Sequence, residues 1–203
     1  LWIKDRTNAN SHRVYDSVRG VNAALISNST AAEDQYADFG QLESFDSDGF
    51  TVGAGNSNGN GTNQASANHA AWCWKESATA GFDIVSYAGN GAEGRDISHS
   101  LSAVPHVMIV KNRTNAVKWA VYHHKNTAAP ETDHLVLDTT AATSDDDSTW
   151  DDTAPTSSVF RVKGSTSVNG SSANYISYLF TAKQGYSKFG SFTGSANANG
   201  PFI

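Results

Sequence analysis

The sequence predicts an all-β protein with two tandem antiparallel β-sandwich-like repeats of about 100 residues each. Three observations predict this fold. They are an internal repeat that spans most of the chain, short runs in which apolar and polar residues alternate, and a composition rich in Gly, Ser, Thr and Asn that disfavours long helices.

The internal repeat is clearest near the start of the chain. Residues 2–8, Trp-Ile-Lys-Asp-Arg-Thr-Asn, return at residues 109–115 as Ile-Val-Lys-Asn-Arg-Thr-Asn, a shift of 107 positions. Further along, the shift drifts between 106 and 110, as a small insertion and a deletion would produce. Aromatic residues also recur, which predicts that they fill equivalent cores; the pairs are Trp72/Tyr178, Trp74/Phe180, Phe50/Phe160 and Tyr15/Tyr122.

Strand-like runs with period-two patterning follow one another along the chain, separated by Gly-rich and Asn-rich turns. The runs are residues 1–4, 13–15, 23–27, 49–53, 70–75, 82–87, 107–111, 119–123, 134–138, 159–163, 175–181 and 188–192. A helical turn or two is expected only within residues 31–40 and 141–147, because both stretches are short and polar. The glycine-rich residues 53–61 predict a long hairpin tip.

A third, partial copy sets the predicted boundaries. Residues 185–194 are similar to residues 81–90 with one residue inserted, so that Phe192 corresponds to Tyr87. We therefore expect repeat 1 at residues 1–80 without its opening strand, and repeat 2 at 81–184. The final segment, 185–203, either closes the vacant sheet edge of repeat 1 or opens a third repeat, because an open edge promotes aggregation.

Charge and composition exclude several classes of partner. The formal net charge of -6 argues against nucleic acid, since phosphate binding requires a basic face. No apolar run approaches the roughly 18 residues that a membrane span requires, so membrane insertion is not expected. The single cysteine, Cys73, corresponds to Leu179 and is expected to be a small buried apolar residue.

No catalytic, metal or cofactor site is expected, and the sequence predicts a protein that is not an enzyme. No glutamate has a counterpart in the other copy, and neither a Gly-x-Ser-x-Gly elbow nor a phosphate-binding loop is present. His123 and His124 should point to opposite faces of a strand and so cannot share a metal. Residues 145–152 carry five aspartates without the glycine of a calcium loop, and a solvated acidic loop is expected.

The candidate ligand-binding residues are Trp119, Trp150 and His123. The two tryptophans have no aromatic counterpart in the other copy, which suits a sugar-stacking or partner surface, although packing beneath a loop explains them equally well. Two pairs of cationic residues recur, Lys4/Lys111 and Arg6/Arg113. Because both copies keep them, a structural role is favoured over contact with an anionic ligand.

The chain resembles a known repeat family at several long motifs. Residues 107–113, 151–160 and 185–192 are similar to a repeat found in large proteins of marine tailed phages, and residues 1–20 and 71–75 are similar to the alternate form of that repeat. The resemblance implies a tail-fibre or tail-associated protein of the extracellular virion. It also implies other virion subunits as partners and a homo-oligomer, such as a trimer. It transfers no activity and no binding residue.

Three functions follow as expectations. The first is a non-enzymatic virion structural module that presents loops to a host-surface glycan. The second is an extracellular carbohydrate-binding module resembling a lectin. The third is a glycan depolymerase whose carboxylates are assembled between chains.

Overall fold

The computed structural model describes residues 1–34, 40–54, 61–196 and 200, and in these ranges the chain is almost entirely β. The strands are β1 Trp2–Asp5, β2 Arg13–Asp16, β3 Gly20–Ile26, β4 Leu42–Phe45, β5 Phe50–Val52, β6 His69–Trp72, β7 Phe82–Ala88, β8 Arg95–Ser98, β9 Val107–Asn112, β10 Ala120–His123, β11 Asp133–Val136, β12 Ser144–Asp145, β13 Val159–Val162 and β14 Asn174–Phe180. A 3-10 turn spans Pro130–Thr132, and one short helix, α1, spans Asp147–Trp150. The prediction of an all-β fold is confirmed.

The strands form four antiparallel sheets. A four-stranded sheet has the order β3-β2-β1-β6, and a six-stranded sheet has the order β12-β11-β10-β9-β14-β7. Two further pairs of strands, β4-β5 and β8-β13, form separate ribbons. No helix in the described part of the chain is long and apolar enough to cross a membrane.

Corresponding residues hold the same register in the two larger sheets. Directly opposed residues across the four-stranded sheet form one row: Trp72, Trp2, Val14 and Leu25. Their counterparts in the internal repeat form a row across the six-stranded sheet: Tyr178, Ile109, Val121 and Leu135. The second row continues to Ile84 of β7, whereas the first stops at β6.

These two rows face each other across an apolar layer, which we call the seam. Its buried and partly buried members come from both large sheets: Val14, Leu25, Phe82, Trp119, Ile176, Tyr178, Trp2, Ile84, Ile109 and Phe180. Because side chains alternate along a strand, Trp2 packs in the seam while Ile3 lies on the opposite face of the four-stranded sheet. The burial of both apolar faces is the main force that holds the sheets together.

Each large sheet also packs a ribbon on its outer face. Ile3, Tyr15, Ala24 and Leu42 form a core with the ribbon β4-β5. A larger core lies between the six-stranded sheet, the ribbon β8-β13 and α1, and includes Tyr122, Trp150 and Phe160. The order of layers is therefore ribbon, four-stranded sheet, six-stranded sheet, ribbon.

Three residues at the edge of the four-stranded sheet were expected in a core and are exposed instead. Trp72 occupies the register position of Tyr178, but it is 50% exposed where Tyr178 is 7% exposed. Trp74 and Cys73 are exposed as well, although both were expected in a core. The reason is the position of β6, which has no strand on its outer side among the described residues, whereas β14 lies between β9 and β7.

The described part of the final segment, residues 185–196, forms no strand. It does not pair with β6, and Phe192 is 64% exposed, so it does not fill a core as Tyr87 does. Phe189 is the aromatic residue of this segment that packs against the sheets, with its ring centroid 6.1 Å from that of Phe180. The division of the chain at residues 80 and 184 stays a prediction.

Two shorter expectations are modified. The helix expected within residues 141–147 begins only at Asp147, because Ser144–Asp145 pairs with β11 and Asp146 caps the first turn. The helical turn expected within 31–40 and the hairpin tip at 53–61 fall partly on residues 35–39 and 55–60, which lie outside the described ranges.

Candidate binding site

Trp119 is a buried structural residue and not a sugar-stacking surface. Its side chain is 1% exposed and belongs to the seam. The indole Nε1 donates hydrogen bonds to the carbonyl oxygens of Ile26, at 3.1 Å, and Ser29, at 3.0 Å. These bonds join the start of β10 to the turn after β3. The ring is buried from the surface and contributes only to the inner wall of the cavity described below, so it offers no open face on which a sugar could stack.

Trp150 is buried in the same way. It is 1% exposed and lies edge-on to Tyr122, with the ring centroids 6.1 Å apart and the planes at 83°. The helix α1 positions it, and Asp146 caps that helix by accepting a hydrogen bond from the Ser148 N–H at 2.8 Å. The tryptophan fills the space beneath the acidic loop, which was the alternative explanation for an aromatic residue without a counterpart.

His123 lies in a group of three histidines. The ring centroids of His106 and His124 are 4.2 Å apart, and those of His123 and His124 are 5.5 Å apart. The expectation that His123 and His124 point to opposite faces is wrong, because β10 ends at His123 and strand alternation stops there. Among the described residues, no group of three His, Cys, Asp or Glu side chains is arranged to hold a metal ion.

Two of the three histidines have lowered pKa values. Burial, followed by the neighbouring histidines, lowers the pKa of His106 and of His123. The ring of His124 donates from Nε2 to the Phe189 carbonyl oxygen at 3.1 Å. The group therefore anchors the start of the final segment, and His123 itself is only partly buried.

The acidic loop is paired with cations of β13. Arg161 contacts Asp151 at 2.7 Å and Asp96 at 2.9 Å, and Lys163 contacts Asp147 at 2.9 Å. Since these side chains are all at least partly exposed, each pair contributes little to stability. The loop is solvated, as expected from its composition.

The two recurring lysines make the same contact in both copies. Lys4 Nζ donates to the carbonyl oxygen of Asn10 at 2.7 Å, and Lys111 Nζ donates to that of Val117, the counterpart of Asn10. Lys111 also donates to the Thr30 carbonyl oxygen at 2.7 Å and is fully buried. Burial lowers its pKa to about 8, and nearby Asp138 only partly offsets this effect. These contacts fit the structural role expected for the lysines.

A buried ion-pair network crosses from one large sheet to the other. Glu33 accepts two hydrogen bonds from Arg113, at 2.8 and 2.7 Å, and a third from Arg19 at 3.0 Å. Arg19 has no exposed side-chain area and also pairs with Asp16, whose carboxylate accepts from the Tyr178 hydroxyl at 2.7 Å. Burial raises the pKa of Glu33, but the two arginines outweigh it and lower the pKa.

An aromatic cavity of about 140 Å³ lies at the seam beside this network. Its walls include Trp2, Phe82 and Phe180, and the partly exposed Phe45 and Trp74 contribute to its lining. The ring of Trp74 lies 6.0 Å from Phe180 and 6.3 Å from Phe82. An apolar cavity of this size holds a group about as large as benzene.

Two carboxyl groups line the polar side of the cavity. Asp16 is committed to Arg19 and Tyr178, so it is not free to act as an acid or a base. Glu76 is the other, and burial together with the nearby Asp83 and Asp16 raises its pKa. The arrangement offers an aromatic wall and one hydrogen-bonding carboxyl group, which suits binding of a small ring.

The sequence did not reveal this cavity. Trp74 was assigned to a core because it corresponds to Phe180, and Phe45 and Glu76 have no aromatic or acidic counterpart that would mark them. The one signal in the sequence was the acidic residue Glu76 two positions after Trp74, and strand alternation alone does not assign it a role.

A family model described as a domain of unknown function, DUF7483, matches residues 1–203. No curated protein matches the chain, and no solved structure does.

Proposed function

Since the chain belongs to the DUF7483 family, a domain of unknown function, we propose that it is a non-catalytic structural module of a tail-fibre or tail-associated virion protein. The proposal rests on the resemblance of its motifs to marine tailed-phage repeats and on the arrangement of its sheets. Such a module transmits load and holds neighbouring domains apart, so it needs repeated units with a firm junction.

The observation that carries the proposal is the back-to-back packing of two corresponding sheets. The same register links Trp2 to Trp72 and Ile109 to Tyr178, and both rows face the seam. We infer that the chain consists of two copies of one sandwich, in which a sheet packs against a ribbon. The ribbons differ, because the partner of β5 is β4 whereas the partner of β13 is β8.

The junction between the copies is of the kind that a load-bearing module requires. Apolar burial supplies most of its strength, and the network around Arg19 fixes the relative position of the sheets through directed bonds. Breaking a buried charge pair by removing one partner typically costs about 3–5 kcal/mol, so the relative position is strongly specified.

Immunogold electron microscopy tests the virion assignment. Antibodies raised against residues 1–203 should label the tails of purified virions from the culture that carries the gene. Unlabelled virions together with soluble antigen in the culture supernatant would contradict the proposal and would favour the secreted carbohydrate-binding module.

A second candidate function, adhesion to a host-surface glycan, is favoured by the aromatic cavity. Trp74 and Phe45 present partly exposed rings beside Glu76, and aromatic faces with an adjacent carboxyl group suit sugar rings. A glycan array should then detect binding that Trp74→Ala abolishes and that Tyr186→Ala, an exposed aromatic residue outside the cavity, leaves intact. No binding to any glycan would reject adhesion, and release of reducing ends from bound polysaccharide would reject the non-catalytic assignment.

A further inference from the structure

The outer edge of β6 is open where the corresponding edge of β14 is covered. Strand β7 pairs with β14 over seven positions, from Asn174 opposite Ala88 to Phe180 opposite Phe82. In the described ranges no strand lies on the outer side of β6. An uncovered edge exposes unpaired backbone N–H and C=O groups and favours the addition of a strand.

The exposed Trp72 at this edge indicates that, among the described residues, a neighbouring strand is missing. Tyr178 is buried between Ile109 of β9 and Ile84 of β7, which lie directly opposite it on either side. Trp72 holds the same position in the other sheet and has Trp2 on one side only. Its exposed half lies where the counterpart of Ile84 would pack, since directly opposed residues share one face of a sheet.

The final segment carries the sequence of the missing strand. Residues 185–194 are similar to residues 81–90, and with Ser187 inserted, Phe189 corresponds to Ile84 and Phe192 to Tyr87. The turns that lead into the two segments are also alike. Ser77 bridges to Phe82 before β7, and Lys183 bridges to Ser187 before the final segment.

Glycines support the likeness of these two turns. Gly81 and Gly185 both have a φ of 76°, a left-handed conformation that residues with a Cβ rarely adopt. The final segment therefore follows a turn similar to the one before β7, yet residues 190–196 are exposed and form no strand. An exposed aromatic residue such as Phe192, in a segment that forms no strand within its described residues, is suited to pairing with another surface.

The topology of β7 indicates which kind of sheet the final segment would complete. Strand β7 follows residues 1–80 in the chain and completes the sheet of the residues that come after it, because it pairs with β14. By the same rule, the final segment completes the sheet that would follow it. Within its own chain Phe189 lies beside the histidine group and not beside β6. Its carbonyl oxygen accepts a hydrogen bond from His124, and its ring centroid is 6.4 Å from that of His106.

We propose that residues 188–193 of one copy of this chain add as an antiparallel strand to the outer edge of β6 in a second copy. This proposal rests on the proposed structural role and names the partner. The register of β7 on β14 places Phe189 opposite Trp72 and Lys188 opposite Cys73. Because the donated strand and the accepting edge are different surfaces, the contact is head-to-tail and produces open chains or closed rings of copies.

The single cysteine of the chain allows a direct test by cross-linking. Lys188→Cys provides a second thiol opposite Cys73, and antiparallel partners have the Cα separation that a disulfide requires. A mixture of wild-type chain with the double variant Cys73→Ser, Lys188→Cys excludes cross-links within one chain. Mild oxidation of the mixture should yield a covalent dimer of twice 21.5 kDa that neither chain forms when it is oxidised alone. The Lys188→Cys chain alone should yield a ladder of multiples.

A variant that leaves the fold intact tests the same contact without a cross-link. Phe192 is exposed, so Phe192→Ser should leave the unfolding midpoint unchanged and weaken self-association about tenfold or more in sedimentation velocity. Val104→Ser, which changes an exposed apolar residue elsewhere, is the control and should have no effect on association.

The cross-link decides between the possible occupants of the edge. An absence of covalent dimer in the mixture overturns the proposal, and a disulfide within the Lys188→Cys chain would show that the segment covers the edge of its own chain. Virion labelling is independent of this result: unlabelled virions with a positive cross-link reject the proposed function alone, and labelled virions without a cross-link reject the strand addition alone.

Discussion

Glu33 accepts two hydrogen bonds from Arg113, at 2.8 and 2.7 Å, across 80 residues of sequence. The same carboxylate accepts from Arg19, which has no exposed side-chain area. One side chain therefore connects the turn regions of both large sheets. Because bidentate bonds between arginine and a carboxylate fix orientation as well as distance, this contact sets how the two sheets meet.

Replacement of Glu33 by glutamine should destabilise the fold by about 3 kcal/mol. The substitution removes the charge that Arg19 and Arg113 share and leaves a buried guanidinium incompletely paired. Urea unfolding followed by tryptophan fluorescence measures the change. Glu93→Gln, at a largely exposed glutamate, is the control and should change stability by less than about 0.5 kcal/mol. A similar small effect for both variants would show that the network does not join the sheets.

The buried Lys111 should make the fold more stable as the pH rises from 8 to 10. Its pKa of about 8 in the folded chain is below the ordinary value of 10.5, so in this range the unfolded chain binds more protons. Stability is then gained as the pH rises through the folded pKa. Relative to Lys111→Met, the free energy of unfolding of the wild-type chain should increase by about 1–2 kcal/mol.

The measurement for Lys111 is urea unfolding at a series of pH values that ends at pH 10. Above that pH a second effect intervenes, because burial raises the pKa of Tyr87 and of Tyr178 and ionisation then favours unfolding. Parallel pH profiles for wild type and Lys111→Met would show that the buried ammonium is not the titrating group.

Much of the fold follows from the sequence, because the internal repeat is preserved in both residue type and register. The pairing of Trp2 with Trp72 and of Ile109 with Tyr178 requires only that corresponding strands pair alike. The exposure of these residues does not follow. Trp72 is more exposed than Tyr178 because, in the described part of the chain, β14 has a strand on its outer side and β6 does not. Which strands are neighbours depends on the assembled sheet and cannot be derived from the repeat alone.

The candidate site was harder to predict than the fold. For Trp119, whose counterpart is His12, the sequence left a ligand surface and packing beneath a loop equally open, because its partners Ile26 and Ser29 lie about 90 residues away in sequence. A contact between sheets has no local signature. The relative orientation of His123 and His124 could not be predicted for a different reason, since alternation predicts side-chain direction only while the strand continues, and β10 ends at His123.

The two buried tryptophans should differ in their sensitivity to replacement by phenylalanine. Trp119→Phe leaves the Ile26 and Ser29 carbonyl oxygens without their donor, which adds to the loss of packing, and should cost about 3 kcal/mol. Trp150 Nε1 has no partner in the part of the chain that the structure describes, so Trp150→Phe should cost about 1–2 kcal/mol. Thermal and urea unfolding of both variants give the comparison. An equal or larger loss for Trp150→Phe would contradict the assigned hydrogen bonds.

The thiol of Cys73 should react in the folded protein. It is exposed beside the open edge of β6, so a thiol reagent such as 5,5′-dithiobis(2-nitrobenzoic acid) should titrate one thiol per chain without denaturant. Low protein concentration keeps the edge uncovered, and Cys73→Ala is the blank. Reaction only after unfolding would place Cys73 in a core, like its counterpart Leu179.

Nuclear Overhauser contacts between opposed strands test most directly whether the two large sheets are copies of one another. Cross-strand contacts are expected from the backbone of Trp2 to Trp72 and from Ile109 to Tyr178, together with side-chain contacts of Trp2 and Tyr178 to the shared seam. Finding the second pair without the first, or the two sets of strands in different orders, would contradict this relationship between the sheets.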